Sequence, residues 1–387
     1  MPKIVVLGAG VGGISMAYEL KAKVGCRAGI MVVSDSEWFH FAPSNPWVAL
    51  GQRKPADIRV RLPETLGRSG IGFDATGARR VLPADNAIEL NDGRRLGYDY
   101  LVIATGAALA FDEIPGLGPK ANSISICHVD DAADAAKRWE RFCDSPGPIV
   151  IGAAQGASCF GPAYEFALMV NTELRRRRIR DRVPMTFVTS EPYIGHLGRG
   201  GIGDTKGLLE SLLRDGDIRW MTSTRIDRIE PDTVECTEIV AEGKAGAQHS
   251  FPSKLTMFIP AFRGVSCLTG DDGKGLPGLA DPRGFVLVDK LQCNPTYRNV
   301  FAVGVCIAIP PYEHTPVPVG VPKRGYMIES MVTAAAENIA ALVAGKEPTQ
   351  QPDFSNNGKA VAEPENLPRI EKYFLHKVRS GASKPGA

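Results

Sequence analysis

The sequence predicts an α/β protein of two Rossmann-like, three-layer domains followed by a short C-terminal tail helix. Strand-like apolar runs at residues 3–7 and 148–151 each lead directly into a glycine-rich loop and then a helix-forming segment. A third run, at 299–303, also stops at a glycine. We expect the first domain to be split over residues 1–115 and 290–345, the second to be inserted at 116–289, and a linker and tail to occupy 346–387.

The composition excludes several classes of protein. The net charge of the 387 residues is +2, which gives no electrostatic case for nucleic-acid binding. No run of about 18 apolar residues predicts a membrane-spanning helix, and we see no cleavable signal peptide at the N-terminus. The eight cysteines form no CxxC pair and no cluster with histidine at zinc spacing, so we expect neither a metal site nor a disulfide framework.

The first glycine loop, GAGVGG, lies between a strand and a helix, as a dinucleotide-binding fingerprint requires. Gly8 permits the tight turn, Gly10 leaves room for a pyrophosphate, and Gly13 allows the helix to pack closely on the strand. The acidic residue expected at the end of the second strand is replaced by Ser34, with Asp35 directly after it. A serine hydroxyl can still bond a ribose, so the dinucleotide prediction stands.

Two further strand ends indicate a flavin rather than a nicotinamide at this loop. YDYLVIATG at 98–106 ends in Ala-Thr-Gly. NVFAVGV at 299–305 ends in Gly-Val, with Val305 in place of the Asp of the usual Gly-Asp ending. The triple pattern resembles FAD-containing disulfide-reductase-type flavoproteins, which implies FAD as cofactor, with backbone groups replacing the missing Asp contact. The motif residues expected to bind FAD are Gly8, Gly10, Gly12, Gly13, Ser34, Asp35, Thr105, Gly106, Gly304 and Val305.

The second glycine loop, GAAQGASCFG at 152–161, has Ala154 in place of its middle glycine. A Cβ at that point blocks the close approach of a pyrophosphate. Glu191, just after the next strand, could have held a ribose. We therefore expect a retained fold with a lost nicotinamide site, and an electron donor other than NAD(P)H. Cys159 lies in this loop at the start of a helix, where a thiolate is favoured and can react with sulfur species.

Several long segments resemble bacterial sulfide:quinone oxidoreductases, and the resemblance covers about residues 1–345. The segments are FAPSNPW at 41–47, ASCFGPAYEF at 157–166, SEPYIGHLG at 190–198, TPVP at 315–318 and KRGYMIESM at 323–331. The resemblance implies that sulfide attacks a disulfide or polysulfide held between cysteines and that two electrons pass to FAD and then to a quinone. Sulfur then accumulates as polysulfide or zero-valent sulfur.

The resemblance also implies roles for single residues. Cys159 matches the central reactive cysteine, Cys127 a cysteine that helps to carry or release the sulfur chain, and His196 a histidine near the sulfide entrance. Asp131 stands where relatives carry a histidine, which argues against proton handling there. Further FAD contacts are implied at Ala42, Ser44, Asn45, Ala78 and Lys323.

The third reactive cysteine of the family has no counterpart, because no cysteine follows Cys306. The segment that carries it, which also walls the quinone pocket in the family, is missing. One alternative is an enzyme that uses another pair, with Cys159 and Cys127 favoured and Cys306 as a substitute. A second is an altered enzyme that passes sulfur to a thiol acceptor. A third is a sensor or relic that binds sulfide or quinone.

Two rival enzymes meet specific objections in the sequence. A type II NADH:quinone reductase requires an intact second glycine loop, and Ala154 argues against it. A flavocytochrome sulfide dehydrogenase would be exported with a signal that we do not see. We therefore favour a sulfide:quinone oxidoreductase with FAD as cofactor and with sulfide, a quinone and a membrane surface as partners.

The tail carries a helical pattern with an apolar face flanked by basic residues. Such a helix can lie in a membrane interface or dock on the protein's own core. Because quinones are lipid-soluble, we expect a peripheral membrane protein, and we leave a homo-oligomer open. The residues on the predicted face are Leu367, Ile370, Tyr373, Phe374 and Val378.

Overall fold

The fold is given by a computed structural model that describes residues 1–241, 243–323, 325–354 and 367–380. Within these ranges the helices are α1 (Val11–Val24), α2 (Asn45–Ala49), α3 (Leu62–Arg68), α4 (Val129–Asp144), α5 (Gly161–Arg176), α6 (Thr205–Asp215), α7 (Gly325–Val343) and α8 (Leu367–Ser380). The strands are β1 (Lys3–Leu7), β2 (Gly29–Val33), β3 (Trp38–His40), β4 (Arg59–Arg61), β5 (Gly72–Asp74), β6 (Ala78–Leu82), β7 (Ala87–Leu90), β8 (Arg95–Gly97), β9 (Tyr100–Ile103), β10 (Ala108–Leu109), β11 (Ile149–Ala153), β12 (Met185–Thr189), β13 (Ile218–Met221), β14 (Thr224–Ile229), β15 (Thr233–Ala241), β16 (Lys244–Pro252), β17 (Leu255–Ile259), β18 (Phe262–Arg263) and β19 (Val300–Ala302).

The first main sheet is parallel, with strand order β19-β9-β1-β2-β5. Its central strands are short runs of Val, Ile and Leu because a parallel sheet covered by helices buries both faces of each strand. Helices α1 and α7 pack against each other. Four strands of this sheet precede the strands of the second main sheet in the sequence, and the fifth, β19, follows them.

The second main sheet is also parallel, in the order β13-β12-β11-β17, and α5 packs on it. Two antiparallel three-stranded sheets, β6-β7-β8 and β14-β15-β16, accompany the main sheets. The predicted α/β class with Rossmann-like parallel sheets is confirmed. The boundaries at 115/116, 289/290 and 345/346 stay predictions.

The late strand is shorter than the sequence indicates. β19 ends at Ala302, and Gly304–Cys306 forms a 3₁₀ turn. Gly304 has φ +86°, a left-handed conformation that interrupts an extended strand. The glycine therefore ends the strand, and the residues after it turn away from the sheet.

The tail helix α8 docks on the first domain, against β4 and α3. The Phe374 ring lies 5.6 Å from the Phe41 ring, and the Tyr18 hydroxyl donates to the Val378 carbonyl at 2.7 Å. Leu375 and Val378 are buried. The described apolar side chains of the tail thus pack on the protein's own core, whereas the side chains of Leu367, Ile370 and Tyr373 lie outside the described residues.

Candidate active site

The first glycine loop is packed at two glycines and open at a third. Gly8 has φ +108°, and a Cβ there would lie 2.3 Å from the Ala104 carbonyl oxygen. A Cβ on Gly13 would lie 1.9 Å from the Gly8 carbonyl oxygen. At Gly10, no atom of the described residues lies within 4 Å of the Cβ position. The open position is the one where a pyrophosphate would approach the helix N-terminus.

The other strand ends of the first sheet lie along the same edge as this loop. Ser34 follows β2, Thr105 follows β9 and Gly304 lies just beyond β19, and parallel strands end at a common edge. Gly106 has φ +71°, and the space at its Cβ position is also clear of described protein atoms within 4 Å. A glycine-lined opening at this edge fits an extended dinucleotide such as FAD.

Lys323 is held beside the third strand end. Its ammonium group donates to the carbonyl of Val305 at 3.0 Å and to that of Ile307, and it lies 4.0 Å from the centre of the Phe285 ring. Burial lowers the pKa of Lys323 to about 8. A cation fixed at this edge is suited to offset negative charge on a bound flavin.

The remaining predicted cofactor residues have other visible contacts, so their roles towards FAD stay predictions. Gly12 faces Ile328 of α7, and the Ser44 hydroxyl donates to Glu371 of α8. The amide of Asn45 donates to the Cys127 carbonyl at 3.2 Å. Asp35 is exposed, and Ala78 is half-buried at the start of β6.

Cys159 and Cys127 are neighbours, although they precede different helices. Cys159 lies just before α5, and Cys127 just before α4. Burial, with a smaller contribution from the Cys159 thiol, raises the pKa of Cys127 to about 12. The charge of one sulfur thus affects the other, and the pairing of the two cysteines that the sequence favoured stays a prediction. Cys127 therefore stays protonated at neutral pH unless its sulfur is bonded to another sulfur.

Cys306, the alternative partner, is directed into the core of the first domain. Its Sγ donates to the carbonyls of Ile103 and Val303, each at 3.3 Å, and the residue is fully buried. Burial raises the pKa of the Cys306 thiol to about 11. These contacts argue against Cys306 as the substitute for the missing cysteine.

The second glycine loop is bonded to a distant segment of the chain, and Gln155, Gly156 and Ser158 of the loop also line a cavity beside that segment. We name residues 315–321 the covering segment. Gly156 N–H donates to the Pro318 carbonyl at 2.7 Å, and Gly320 N–H donates to the Ala157 carbonyl at 2.8 Å. The Gln155 side chain makes two bonds to the backbone of Ile226. The N–H groups of Gly156 and Ala157, which could otherwise face a pyrophosphate, therefore donate to the Pro318 and Ala154 carbonyls.

Glu191, at the position where an acid could have held a ribose, is bonded within the protein. The Glu191 side chain is fully buried, and its carboxylate accepts from Tyr164 Oη at 2.7 Å and from Leu197 N–H at 2.7 Å. Burial raises the pKa of Glu191 to about 7. The strand does end in an acid, as the fold requires, but the acid turns inward instead of facing a nucleotide.

His196 is also fully buried, and its predicted place near a sulfide entrance stays a prediction. Its Nδ1 accepts from Gly198 N–H at 3.1 Å, which assigns the ring proton to Nε2, and Nε2 donates to Glu313 at 2.6 Å. Glu313 is half-exposed and lies just before the covering segment. His196 can thus relay a proton between the interior and a carboxylate that water reaches.

Sequence reasoning missed Glu165, a carboxyl on the first turns of α5. It is partly buried, and burial alone raises its pKa to about 7. A carboxyl with that pKa can take or give a proton at neutral pH, close in sequence to Cys159. The signal was present in the segment ASCFGPAYEF, since an acid inside an otherwise apolar run is unusual.

The comparisons with known proteins define the class. A model of the family "Pyridine nucleotide-disulphide oxidoreductase" matches residues 2–337. The chain belongs to this family, and FAD is its cofactor.

The particular resemblance is confirmed by relatives. The chain is 41% identical to a sulfide-quinone reductase of Aquifex aeolicus, over 99% of this chain and 92% of that protein. The crystal structure of the sulfide:quinone oxidoreductase from that bacterium matches with TM-score 0.90 and 40% identity, covering 100% of this chain and 93% of that one. A mitochondrial sulfide:quinone oxidoreductase of Mus musculus is 26% identical, over 80% of this chain and 66% of that protein. Within its family, this chain is therefore a member of the sulfide:quinone oxidoreductases.

Among the described helices, none combines the length and the apolar character needed to cross a bilayer.

Proposed function

We propose that this chain oxidises sulfide at a Cys127–Cys159 pair and delivers two electrons to a quinone. The observation that carries the proposal is the second glycine loop, which contains Cys159 and is bonded to the covering segment. In this fold the loop receives a nicotinamide nucleotide, and here the Gly156 N–H donates to the Pro318 carbonyl instead. Sulfur chemistry at Cys159 thus takes the place of a nicotinamide donor.

The sulfur steps balance with two cysteines. Hydrosulfide attacks the Cys127 sulfur of a Cys127–Cys159 disulfide, so the S–S bond breaks, Cys127 gains a persulfide and Cys159 leaves as thiolate. We assign the thiolate to Cys159 because the pKa of the Cys127 thiol is raised to about 12, whereas Cys159 adjoins the N-terminus of α5. Rejoining of the persulfide and the thiolate as a trisulfide releases one proton and two electrons. FAD, when bound, supplies the two-electron acceptor for the sulfur and the donor for the quinone.

Protons released by the sulfur steps need acceptors. Glu165 is the nearest in sequence to Cys159, and the pKa of its carboxyl is raised to about 7 by burial. His196 and Glu313 form a second route, because Glu313 contacts solvent. We infer that Glu165 takes the proton and that the His196–Glu313 pair passes one to water.

The quinone has a candidate site in a cavity of about 1090 Å³ beneath the covering segment. Its lining is mainly apolar and includes Phe285, Ile309, Pro311 and Val319, with Lys323 as a cation at one side. Apolar lining with few polar groups suits a quinone ring and part of its tail. We place the quinone here because the apolar lining reaches Lys323, which is held beside the third strand end of the predicted flavin site.

Because quinones dissolve in lipid, we infer that the chain works as a peripheral protein at a membrane surface. Tyr312 is 72% exposed and directly follows Pro311 of the cavity lining. Exposed tyrosines favour the interface between lipid and water. In a liposome flotation assay, Tyr312→Ser should reduce the bound fraction, and unchanged flotation would remove this part of the proposal.

The central test mixes the purified, FAD-containing protein anaerobically with sulfide and, separately, with NADH. Sulfide should bleach the flavin absorbance, a short-chain quinone should restore it, and NADH should leave it unchanged. Bleaching by NADH and not by sulfide would contradict the proposal. Mass spectrometry after one equivalent of sulfide should find the added sulfur at Cys127, and sulfur at Cys159 alone would reverse our assignment of the leaving thiolate.

A further inference from the structure

Glu191 sits at the centre of a buried hydrogen-bond network. One carboxylate oxygen accepts from Tyr164 Oη at 2.7 Å and from Thr189 Oγ1 at 2.8 Å, and the other accepts from Leu197 N–H at 2.7 Å. All four groups are buried. Three protein donors converge on one buried carboxylate, so its oxygens accept from the protein itself and not from the hydroxyls of a ribose.

The three donors come from different parts of the second domain. Tyr164 lies on α5, the helix that begins two residues after Cys159, while Thr189 ends β12. Leu197 follows His196 in the loop after that strand. The Tyr164 hydroxyl also accepts from Gly195 N–H at 3.1 Å, which adds a second bond between α5 and the loop. The network therefore joins the cysteine's helix to the histidine's loop.

Leu197 adopts a conformation that needs such support. Its φ is +55°, in the left-handed region that residues other than glycine seldom adopt. A strained residue persists where its surroundings hold it in place. The Glu191 carboxylate binds the N–H of this residue, and the next N–H, of Gly198, is bound by His196 Nδ1. The turn at Leu197 thus sets the direction of the His196 ring towards Glu313.

We propose that Glu191 is a positioning residue that fixes the sulfide-side geometry, by clamping the loop of His196 to the helix of Cys159. In nucleotide-binding members of this fold an acid at this place holds a ribose. In this protein the acid binds the hydroxyl of Tyr164 and the N–H of Leu197. The inference rests on the proposed function, because the reaction it serves is the oxidation of sulfide.

The test compares Glu191→Leu, which accepts no hydrogen bond, with Glu191→Gln, whose carbonyl can still accept from Leu197 and whose amide can donate to the hydroxyls. Glu191→Leu should slow anaerobic bleaching of the flavin by sulfide at least about tenfold, because small misplacements of reacting groups are costly. FAD content and reoxidation of the flavin by quinone should match the wild type. Glu191→Gln should stay within about threefold of the wild-type rate, because it keeps the bonds.

Hydrogen–deuterium exchange supplies a readout that does not depend on turnover. The amides of residues 193–198 should exchange faster in Glu191→Leu and at the wild-type rate in Glu191→Gln. A matched control is Thr256→Val, which breaks a buried bond between Ser253 and Thr256 in the same domain, at 2.7 Å. It should change neither the bleaching rate nor exchange at 193–198.

Each outcome decides between the proposals. Wild-type protein that sulfide does not bleach would defeat the proposed function itself. Wild-type bleaching with an equally fast Glu191→Leu would defeat the inference alone, as would a Glu191→Gln as slow as Glu191→Leu with unchanged exchange, because charge rather than position would then matter. If Glu191→Leu does not fold, Tyr164→Phe removes a single hydroxyl from the clamp. It should then slow bleaching about threefold or more, and an unchanged rate would overturn the inference.

Discussion

The two glycine loops of this protein share one architecture and have opposite fates. Each follows a buried parallel strand and precedes a helix. At the first loop, the space beside Gly10 is clear of described protein atoms. At the second, Gly156 and Ala157 are bonded to the covering segment, and the acid of the following strand is buried. A dinucleotide fold can thus lose its ligand and keep its frame, because the groups that bound the ligand find partners within the chain.

The largest effect is expected for substitution of Cys159, the proposed reactive residue of the second glycine loop. Cys159→Ala should lower the rate of flavin bleaching by sulfide at least about 1000-fold, since it removes one of the two sulfurs. FAD content should be unchanged, because the first loop is untouched. Stopped-flow absorbance measures the rate, and Cys26→Ala, at an exposed cysteine, is the matched control. Normal bleaching in Cys159→Ala would show that another sulfur reacts.

The open loop is tested next, at Gly10. Its φ of −76° and ψ of −167° suit any residue, so Gly10→Val should fold normally. The new side chain would occupy the space of a pyrophosphate, and FAD affinity should fall at least about 100-fold. Fluorescence titration of the apoprotein with FAD measures this. Gly67→Val is the control, since Gly67 is also clear of described neighbours. Full FAD affinity in Gly10→Val would mean that the cofactor does not pass over this glycine.

The conformation of the first glycine loop could be predicted from the sequence, whereas the distant bonding partners of the second glycine loop could not. Gly8, Gly10 and Gly13 do what their spacing indicates, because the fingerprint is local and backbone-determined. Ala154 indicates a lost nicotinamide site, and that loss stays a prediction. The partners of the second loop are far away in sequence: Gly156 bonds Pro318, and nothing local indicates it.

Side-chain direction was equally out of reach from sequence. The order of residues places Glu191 after a strand but does not say that it turns inward, because that depends on Tyr164 and Leu197. The same holds for His196, whose burial and contact with Glu313 the sequence does not indicate, while its place near a sulfide entrance stays a prediction. Both side-chain directions depend on tertiary contacts that fix the path of the loop.

The pH dependence of stability sharpens the contrast between a nucleotide-facing acid and a buried one. Burial raises the pKa of Glu191 to about 7 in the folded protein, from the ordinary carboxyl pKa of about 4.5. A raised carboxyl pKa gives stability that is complete below about pH 4.5 and is lost as pH rises through 7. Glu191→Gln stays neutral, so between pH 5 and 8 its free energy of unfolding should gain about 2.5 kcal/mol on that of the wild type. Urea unfolding at several pH values measures this, and a pH-independent difference would place the pKa of Glu191 in its ordinary range.

The second glycine loop should stay bonded to the covering segment when its missing glycine is restored. Ala154→Gly recreates the fingerprint, but the covering segment still binds Gly156 and Ala157. We expect no flavin bleaching by NADH and a loss of about 1 kcal/mol in stability from the added glycine. Anaerobic titration with NADH decides. Bleaching in this variant would show that one Cβ, rather than the covering segment, excludes the nucleotide.

The smallest expected effect is on stability, and it concerns the contacts by which α8 packs on the first domain. The second loop is covered by residues 315–321, and the first domain by α8, whose Glu371 accepts from Arg53 at 3.3 Å and from the Ser44 hydroxyl. Both partners of the Arg53 ion pair are largely buried, so Glu371→Gln should cost about 1 kcal/mol of stability by thermal unfolding. Glu337→Gln, which weakens a more exposed pair with Lys23, should cost less than about 0.5 kcal/mol.

Because Ser44 is also a predicted FAD contact, holoprotein should lose FAD faster in Glu371→Gln than in Glu337→Gln. Equal rates of loss would mean that α8 braces the first domain without reaching its cofactor.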